Sequence, residues 1–482
     1  MAAVTEAKGE TATKKTKASV GRRNQVEALV RETADLPDRA IIERPALEHF
    51  MVGYRALERE DKAAFFTQLL EKVEIKPESI DPLLLELTAA KDDPGRWPLA
   101  LTKLRQTTAS PRRRLFRHFL NLPGGLKFLL DFRADILGVR REAGVDLSPL
   151  DDDLVGLFES WFQDGFMFLQ EISLDSPFRQ IEIIKKNDMV HPMEDLEEMV
   201  RRLGRDRRCF ALYHRAMPEE PVVFIEVALT RGMARVIHEI LGPSADANHG
   251  EGKRDTAVFY SINNTQNGLA GLGLGKVLIF QVVDFLKRED ENIRNFCTLS
   301  PLPGFWRRFL KPVLEGRSKG FKLSRQEAEK VFDKRSRALL EAEFIRQGGT
   351  KGASFGEVLL HVFSTTAWAE NERLVASLAK PITHLGYVYL SEEKDPDGRP
   401  LDPVANFHLQ NGAMLSPGAV NFGANWSAMG LERSLSLMVN YVYSQAWTRQ
   451  FSQSMTRLAT LMPALYRPFS GKKPLEGGGA VR

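Results

Sequence analysis

Apolar residues recur at three- and four-residue intervals through most of the first 180 positions, the spacing of one face of an α-helix. The pattern predicts helices over 24–33, 51–70, 82–91, 95–106, 112–120 and 126–140. Phe65, Phe66, Leu69 and Leu70 mark the apolar stripe of the second. Pro123, Gly124 and Gly125 punctuate the chain before the last. The segment LSPLDDDLVGLFESWF predicts one more helix, with Ser148 or Asp151 as its N-cap. The only strand-like pattern here is the short IEII run at Ile181–Ile184. Read from residues alone, this part is a helical bundle without chemistry of its own, whose amphipathic helices also suit packing against a partner subunit.

The pattern changes near His191. A helix is expected from about Pro192 to Leu203, followed by strands over 208–214 and 221–228, with Met217 to Glu220 as the turn between them. A short helix or crossover over 232–241 and a polar loop over 241–254 lead to a strand at 257–262. Further on, 321–346, 354–363 and 371–378 have helical patterns, and 384–390 fits a helix end or a strand. The segment 404–409 runs into Asn411-Gly412, a turn signal, and LSLMVNYVY reads as a strand. The expected organisation is a disordered tail at 1–22, an all-α domain at 23–188, an α/β domain at 189–470 with an inserted helical section, and a flexible tail at 471–482.

Composition changes this picture little. A chain of 482 residues exceeds what one core usually serves, so two domains or three are expected. The formal net charge of +4, from 67 basic and 63 acidic residues, is too slight to argue for nucleic acid and leaves room for local basic patches suited to an acidic ligand. The run 111–118, PRRRLFRH, is one such patch; solvated surface is its plain reading, an anionic ligand or subunit contact its sharper one. Two cysteines, Cys209 and Cys297, make neither a disulfide framework nor a thiolate zinc site and suit a reducing compartment. No HExxH or tight His/Cys/Asp cluster occurs, which disfavours zinc. No apolar run reaches membrane-spanning length. The first 25 residues have no apolar stretch after their basic positions, so a secretory signal is not expected, and the C-terminal GGGAVR is not a Ser-Lys-Leu address.

Candidate chemistry concentrates in Phe259–Phe309: a strand pattern, the polar turn NNTQNG, a loop crowded with Gly268, Ala270, Gly271, Gly273 and Gly275, a helix over 276–288, an apolar segment at 296–299, then Ser300 and Pro301. Glycines before a helix let the backbone approach a ligand and leave N–H groups for a phosphate. Three templates compete for the loop. A Walker P-loop fails, because Val277 follows Lys276 where a hydroxyl is needed. A dinucleotide loop lacks a clean βαβ unit with a ribose-binding acid. The acyl-CoA loop of the acetyltransferase superfamily, in which Gln or Arg precedes small residues around a pyrophosphate, is matched imperfectly by Gln266, Gly268, Gly271 and Gly273. Ser300 lies in no GxSxG elbow, and Ser-Pro at a strand end is ordinary turn chemistry. His408, among apolar neighbours, reads first as a core histidine.

Five ordered stretches carry a wider resemblance: PGGLKFLLDFRADIL (Pro123 to Leu137), FYSINNTQNGLAGLGLG (Phe259 to Gly275), TLSPLPGF (Thr298 to Phe305), FHLQNGA (Phe407 to Ala413) and LMVNYVY (Leu437 to Tyr443). From about 25 to about 465 the chain resembles the malonyl-CoA decarboxylase family. The resemblance implies conversion of malonyl-CoA to acetyl-CoA and carbon dioxide without metal or organic cofactor, coenzyme A being carried by the substrate. It implies an N-terminal helical domain used in self-association, giving a homo-oligomer (dimer or tetramer). It also implies a catalytic domain resembling the acyl-CoA N-acyltransferase fold. Ser300 matches the family's catalytic serine, His408 its catalytic histidine and Tyr443 a tyrosine near the site. Gln266, Gly268, Gly271, Gly273 and Gly275 are then expected to hold the coenzyme pyrophosphate. A main-chain N–H near Asn411 or Gly412 is one expected donor to the enolate oxygen. Gly273 stands where the family often has a glutamate. A cytoplasmic protein with no nucleic-acid or membrane partner is expected. An acyl-CoA-dependent N-acyltransferase and a non-catalytic acyl-CoA-binding scaffold are the alternatives.

Overall fold

The structure, a computed structural model, describes residues 22–34, 36, 43–193, 195–204, 206–242, 253–317 and 320–444. The expected tails (save residue 22), the end of the expected α/β domain after 444 and most of the loop expected over 241–254 lie outside the described residues. The chain divides into two compact units. The first comprises 1–168 with 213–222 and 264–274; the second comprises 169–212, 223–263 and 275–482.

The first unit is helical: α1 (22–34), α2 (Arg44–Arg55), α3 (Arg59–Lys72), α4 (Pro77–Ala89), α5 (Arg96–Thr107), α6 (Pro111–Leu120), α7 (Gly125–Val139) and α8 (Ser148–Trp161). The helical spacing of the aromatics gathers them into one core. Phe50, Tyr54, Phe65, Phe66, Phe128 and Phe132 are buried, with the Tyr54 and Phe132 rings 4.7 Å apart. The stretch expected as one helix over 51–70 is two, because the chain turns after Arg55 and buries Leu57 in the link. Neither Ser148 nor Asp151 caps α8; Leu147 holds the N-cap position and Asp151 turns inward to Arg133 and Arg140. Two arginines of the 111–118 run are likewise structural. Arg112 is buried between Glu74 (2.7 Å) and Asp153 (2.9 Å), and Arg113 donates to the Gly156 carbonyl (2.6 Å).

The sheet begins with β1 (Met167–Ile172), and the IEII run belongs not to a strand but to α9 (Phe178–Asn187). Ile181 and Ile184, three apart, make its buried face, a helical spacing that four residues are too few to distinguish. Then follow α10 (Leu196–Arg202), β2 (Arg207–His214), β3 (Met217–Thr230), α11 (Ile237–Leu241), β4 (Thr256–Asn264), α12 (Leu274–Glu289), β5 (Asn295–Thr298) and β6 (Ser300–Pro301). Met217 to Glu220, expected as a turn, open β3, and the turn is Arg215-Ala216. The inserted section supplies α13 (Lys311–Leu314), α14 (Arg325–Lys330), α15 (Lys334–Arg346), α16 (Phe355–Phe363) and α17 (Glu372–Ser391). Ser324/Glu327 and Ser354/Glu357 form reciprocal capping boxes on α14 and α16, and Asn371 caps α17, which carries 384–390 as helix. The described residues close with α18 (Pro403–Gln410), β7 (Ala413–Met414), β8 (Val420–Asn421), α19 (Ala428–Ser434), β9 (Met438–Val439) and β10 (Val442–Tyr443).

Among the described residues, seven strands join in the order β1-β2-β3-β4-β5-β10-β7, and three more in the order β6-β9-β8. β4 and β5 are parallel, so α12 is the crossover between them, while β10 runs antiparallel to β5. The single strand expected over LSLMVNYVY is therefore two, β9 and β10, one in each sheet. The fold class expected from the sequence, an all-α part followed by an α/β part with a mixed sheet, is the one observed.

Candidate active site

The site forms where the chain passes from one sheet to the other. On one side the passage is Thr298–Leu299–Ser300, on the other Val439–Asn440–Tyr441–Val442. Asn440, fully buried, holds the two together: its amide donates to the carbonyls of Thr298 (2.7 Å) and Ala234 (3.0 Å), and its oxygen accepts from Asn421 Nδ2 (2.8 Å). Tyr441 N–H donates to Thr298 Oγ1 (3.1 Å), and Thr298 N–H donates to the Tyr441 carbonyl (2.9 Å). Strand periodicity then directs Ser300, two residues from Thr298, toward it, with Ser300 Oγ 2.9 Å from Thr298 Oγ1.

His408 arrives from α18. Asp402 caps that helix by accepting from Val404 N–H (3.0 Å) and Ala405 N–H (2.8 Å), and Pro403 is pre-set for its first turn. The helix stops at Gly412, whose φ of 83° is a left-handed value natural to glycine. His408 Nε2 lies 3.3 Å from Ser300 Oγ, and Nδ1 lies 2.9 Å from the Tyr443 hydroxyl. Tyr441 stacks on the imidazole, ring centroids 4.8 Å apart and planes 27° apart. Ser300, His408 and Tyr443, dispersed in sequence, thus form one buried hydroxyl–imidazole–phenol chain.

Burial sets the protonation of this chain. It pushes the His408 imidazole down to about 3, so the ring is neutral near pH 7, with one nitrogen a donor and the other an acceptor. It raises the Tyr443 and Tyr441 phenols, keeping both protonated. The Asp402 carboxyl is pushed up to about 6 by burial, against the bonds it accepts from Ala405 and Val404 and the Tyr389 hydroxyl beside it.

The glycine loop belongs to the first unit up to Leu274. Its glycines serve different ends. A Cβ on Gly268 would lie 2.0 Å from the Leu130 carbonyl oxygen, so that glycine exists for close packing on α7. Gly275, in the second unit, is needed because a Cβ would meet the Phe407 ring at 2.6 Å. Gly271 and Gly273 are exposed, with φ of 81° and 69° and open space around them. Gln266 is buried, its amide donating to Glu220 (3.2 Å).

The expected main-chain donors at Asn411 and Gly412 are otherwise engaged. Asn411 N–H donates to the Phe407 and His408 carbonyls and Gly412 N–H to that of Leu409, because both close the last turn of α18. Sequence reasoning missed Thr298, Tyr441, Asn440 and Asp402. Thr298 and Tyr441 were open to it, since each stands two residues along a strand pattern from a named site residue. Among the described residues, no group of three or more His, Cys, Asp or Glu side chains is placed to hold a metal ion, and no helix is long and apolar enough to cross a membrane.

Fold and site together are those of an α/β enzyme with a helical domain ahead of it. The malonyl-CoA decarboxylase C-terminal domain family model matches residues 165–457, and the corresponding N-terminal domain model matches 77–162. The chain belongs to the malonyl-CoA decarboxylase family. The mitochondrial malonyl-CoA decarboxylase of Rattus norvegicus is 34% identical over 346 residues, 71% of this chain and 67% of that protein. That of Anser anser anser is 35% identical over 340 residues, 69% and 64%. Among solved structures, malonyl-CoA decarboxylase from Rhodopseudomonas palustris superposes with a TM-score of 0.70 at 32% identity, covering 90% of this chain and 96% of that one. The protein from Agrobacterium vitis gives 0.69 at 30%, covering 91% and 96%.

Proposed function

We propose that the protein decarboxylates malonyl-CoA to acetyl-CoA and carbon dioxide, using its own side chains and no metal or organic cofactor. The observation that carries the reading is the buried Ser300–His408–Tyr443 chain in a member of this family. Breaking the bond to the carboxylate carbon leaves its electron pair in the thioester, as an enolate. Catalysis requires that enolate oxygen to be held more tightly than the starting carbonyl. Ser300 is the hydroxyl donor for this step. The Ser300 hydroxyl rests as a donor to Thr298 Oγ1 (2.9 Å); it faces its proton to the substrate by turning from that acceptor, with Oγ accepting from His408 as the Nε2–H tautomer and Nδ1 accepting from Tyr443. A neutral imidazole suits that role; an imidazolium would cost its burial. The enolate carbon takes its proton through Ser300 with His408 behind it, made good from solvent. The exposed glycine loop around Gly271 and Gly273 receives the coenzyme pyrophosphate on its N–H groups.

The test is purified protein with malonyl-CoA, a chelator and no amine acceptor, acetyl-CoA being read by mass. Ser300→Ala and His408→Ala are expected to lower kcat roughly 100-fold or more while the fold is kept, the histidine change being the more severe. Wild-type turnover in both variants would remove the assignment, and turnover that needs an amine would make the protein an acyltransferase. The same reading keeps a cytoplasmic homo-oligomer assembled through the helical domain, checked by light scattering and cell fractionation.

A further inference from the structure

Helix α7, in the part that sequence alone leaves without chemistry, holds the glycine loop of its own unit by the packing of Gly268 on Leu130 and by the Arg133 side chain. Arg133 on α7 is buried at 4% exposure. Its Nη1 donates to the main-chain oxygens of Gly268 (2.5 Å) and Ala270 (2.9 Å). Its Nε donates to Asp151 Oδ1 (2.6 Å), and Asp151 Oδ2 accepts from Arg140 (3.2 Å). The bare Cα of Gly268 against Leu130 allows this approach. In a trans peptide the N–H points opposite to the preceding carbonyl. Drawing the Gly268 and Ala270 oxygens toward α7 therefore turns the Leu269 and Gly271 N–H groups the other way. Leu269 N–H is taken up by the Gln266 carbonyl (3.0 Å). Among the described residues, Gly271 N–H donates to no backbone carbonyl outside regular elements, and Gly271 is exposed.

We propose that Arg133 is a positioning residue for the diphosphate end of the acyl-CoA: it holds the loop carbonyls inward, so that the exposed side of the loop offers the Gly271 N–H rather than oxygens to an anion. The proposal rests on the reading of this loop as the pyrophosphate cradle. Without the two bonds, the oxygens of Gly268 and Ala270 are free to turn outward, where they repel a diphosphate. Lysine cannot replace the arginine, because a single ammonium has no planar fork to serve a carboxylate on one edge and two carbonyls on the other.

The test compares malonyl-CoA with malonyl-pantetheine, which has the same reacting group and no diphosphate. In Arg133→Lys, KM for malonyl-CoA is expected to rise roughly tenfold with kcat within about twofold, as for loss of a charge-assisted contact that acts on binding alone. Activity on malonyl-pantetheine is expected to be unchanged, so that the ratio of kcat/KM for the two substrates falls by the same factor. An unchanged ratio in the folded variant, or an equal loss on both substrates, overturns the proposal, since damage to packing does not distinguish them. A wild-type enzyme that itself uses both substrates equally well removes the pyrophosphate reading of the loop and the proposal with it. Should Arg133→Lys fail to fold, Arg133→Gln, whose amide donates to one carbonyl without a buried charge, is measured on the same two substrates. A fallen ratio in that variant supports the proposal, and an unchanged one overturns it.

Discussion

At the scale of single residues, the site depends on a hydroxyl that sequence reasoning passed over. Thr298 Oγ1 accepts both the Tyr441 N–H and the Ser300 hydroxyl, and so fixes the Ser300 oxygen that lies 3.3 Å from His408 Nε2. Thr298→Val keeps the shape and removes both bonds. It is expected to destabilise the protein by about 1–3 kcal/mol, because a buried N–H loses its partner. It is also expected to lower kcat roughly tenfold with KM within about twofold, because the Ser300 hydroxyl gains a rotamer that no longer faces the substrate. Thr298→Ser restores the oxygen and is expected to restore both readings. Parallel kinetics and thermal melts check this; a valine variant with wild-type kcat leaves Thr298 a purely structural residue. Ser300 and His408 were named from motif resemblance, yet no local pattern could join them. They are separated by 108 positions, on different elements, and the capped helix that aims the imidazole depends on Asp402.

At the scale of elements, periodicity carried the helical part well and failed where the pattern was short. Four residues of IEII satisfy either period, and tertiary burial of Ile181 and Ile184 settled the helix. The turn expected at Met217 to Glu220 missed because proline and two acids suit the start of a strand whose side chains there are largely exposed, as well as they suit a turn. The glycine loop was legible as a loop but not in its division of labour. That division predicts a contrast in stability. Gly271→Ala meets no atom within 4 Å and bears only the strain of a left-handed backbone, about 1–2 kcal/mol. Gly268→Ala sets a methyl carbon 2.0 Å from the Leu130 oxygen, so the backbone of the loop or of α7 must shift. It is expected to destabilise by about 3 kcal/mol or more and to disturb the Arg133 bonds. Thermal unfolding of the two variants decides; equal losses would mean that the loop relaxes freely from α7.

At the scale of the whole molecule, composition spoke of a slight positive balance and ordinary hydrophobicity, and neither shows where charge is buried. Those buried groups shape the response to pH. His408 is pushed down to about 3 and His191 to about 4, both chiefly by burial, from an ordinary 6.5. As pH falls below 6.5 the unfolded chain takes up protons at these rings and the folded chain does not, so stability declines through the window from 6.5 toward 4 and 3. Glu226 acts with the opposite sign. It is fully buried beside Asp188, Arg202 and Glu198, and burial first, then the Asp188 charge, push its carboxyl up to about 8 from 4.5. Its stabilising contribution is complete below 4.5 and is lost as pH rises through 8, because the unfolded chain gives up the proton that the folded chain keeps. Glu226→Gln holds a neutral group in the same place and cannot titrate. Its amide oxygen takes the place of the carboxyl oxygen that accepts from Arg202 Nη1 (3.3 Å), and Asp188 retains that nitrogen at 2.7 Å. The variant is expected to gain on the wild type with rising pH between 5 and 8, by up to ~1.4 kcal/mol per pH unit. The readout is the difference in unfolding free energy between the two proteins across that range. A difference that stays constant with pH means that Glu226 ionises alike in folded and unfolded chains, and that Arg202 holds it as an ordinary carboxylate against its burial and the Asp188 charge.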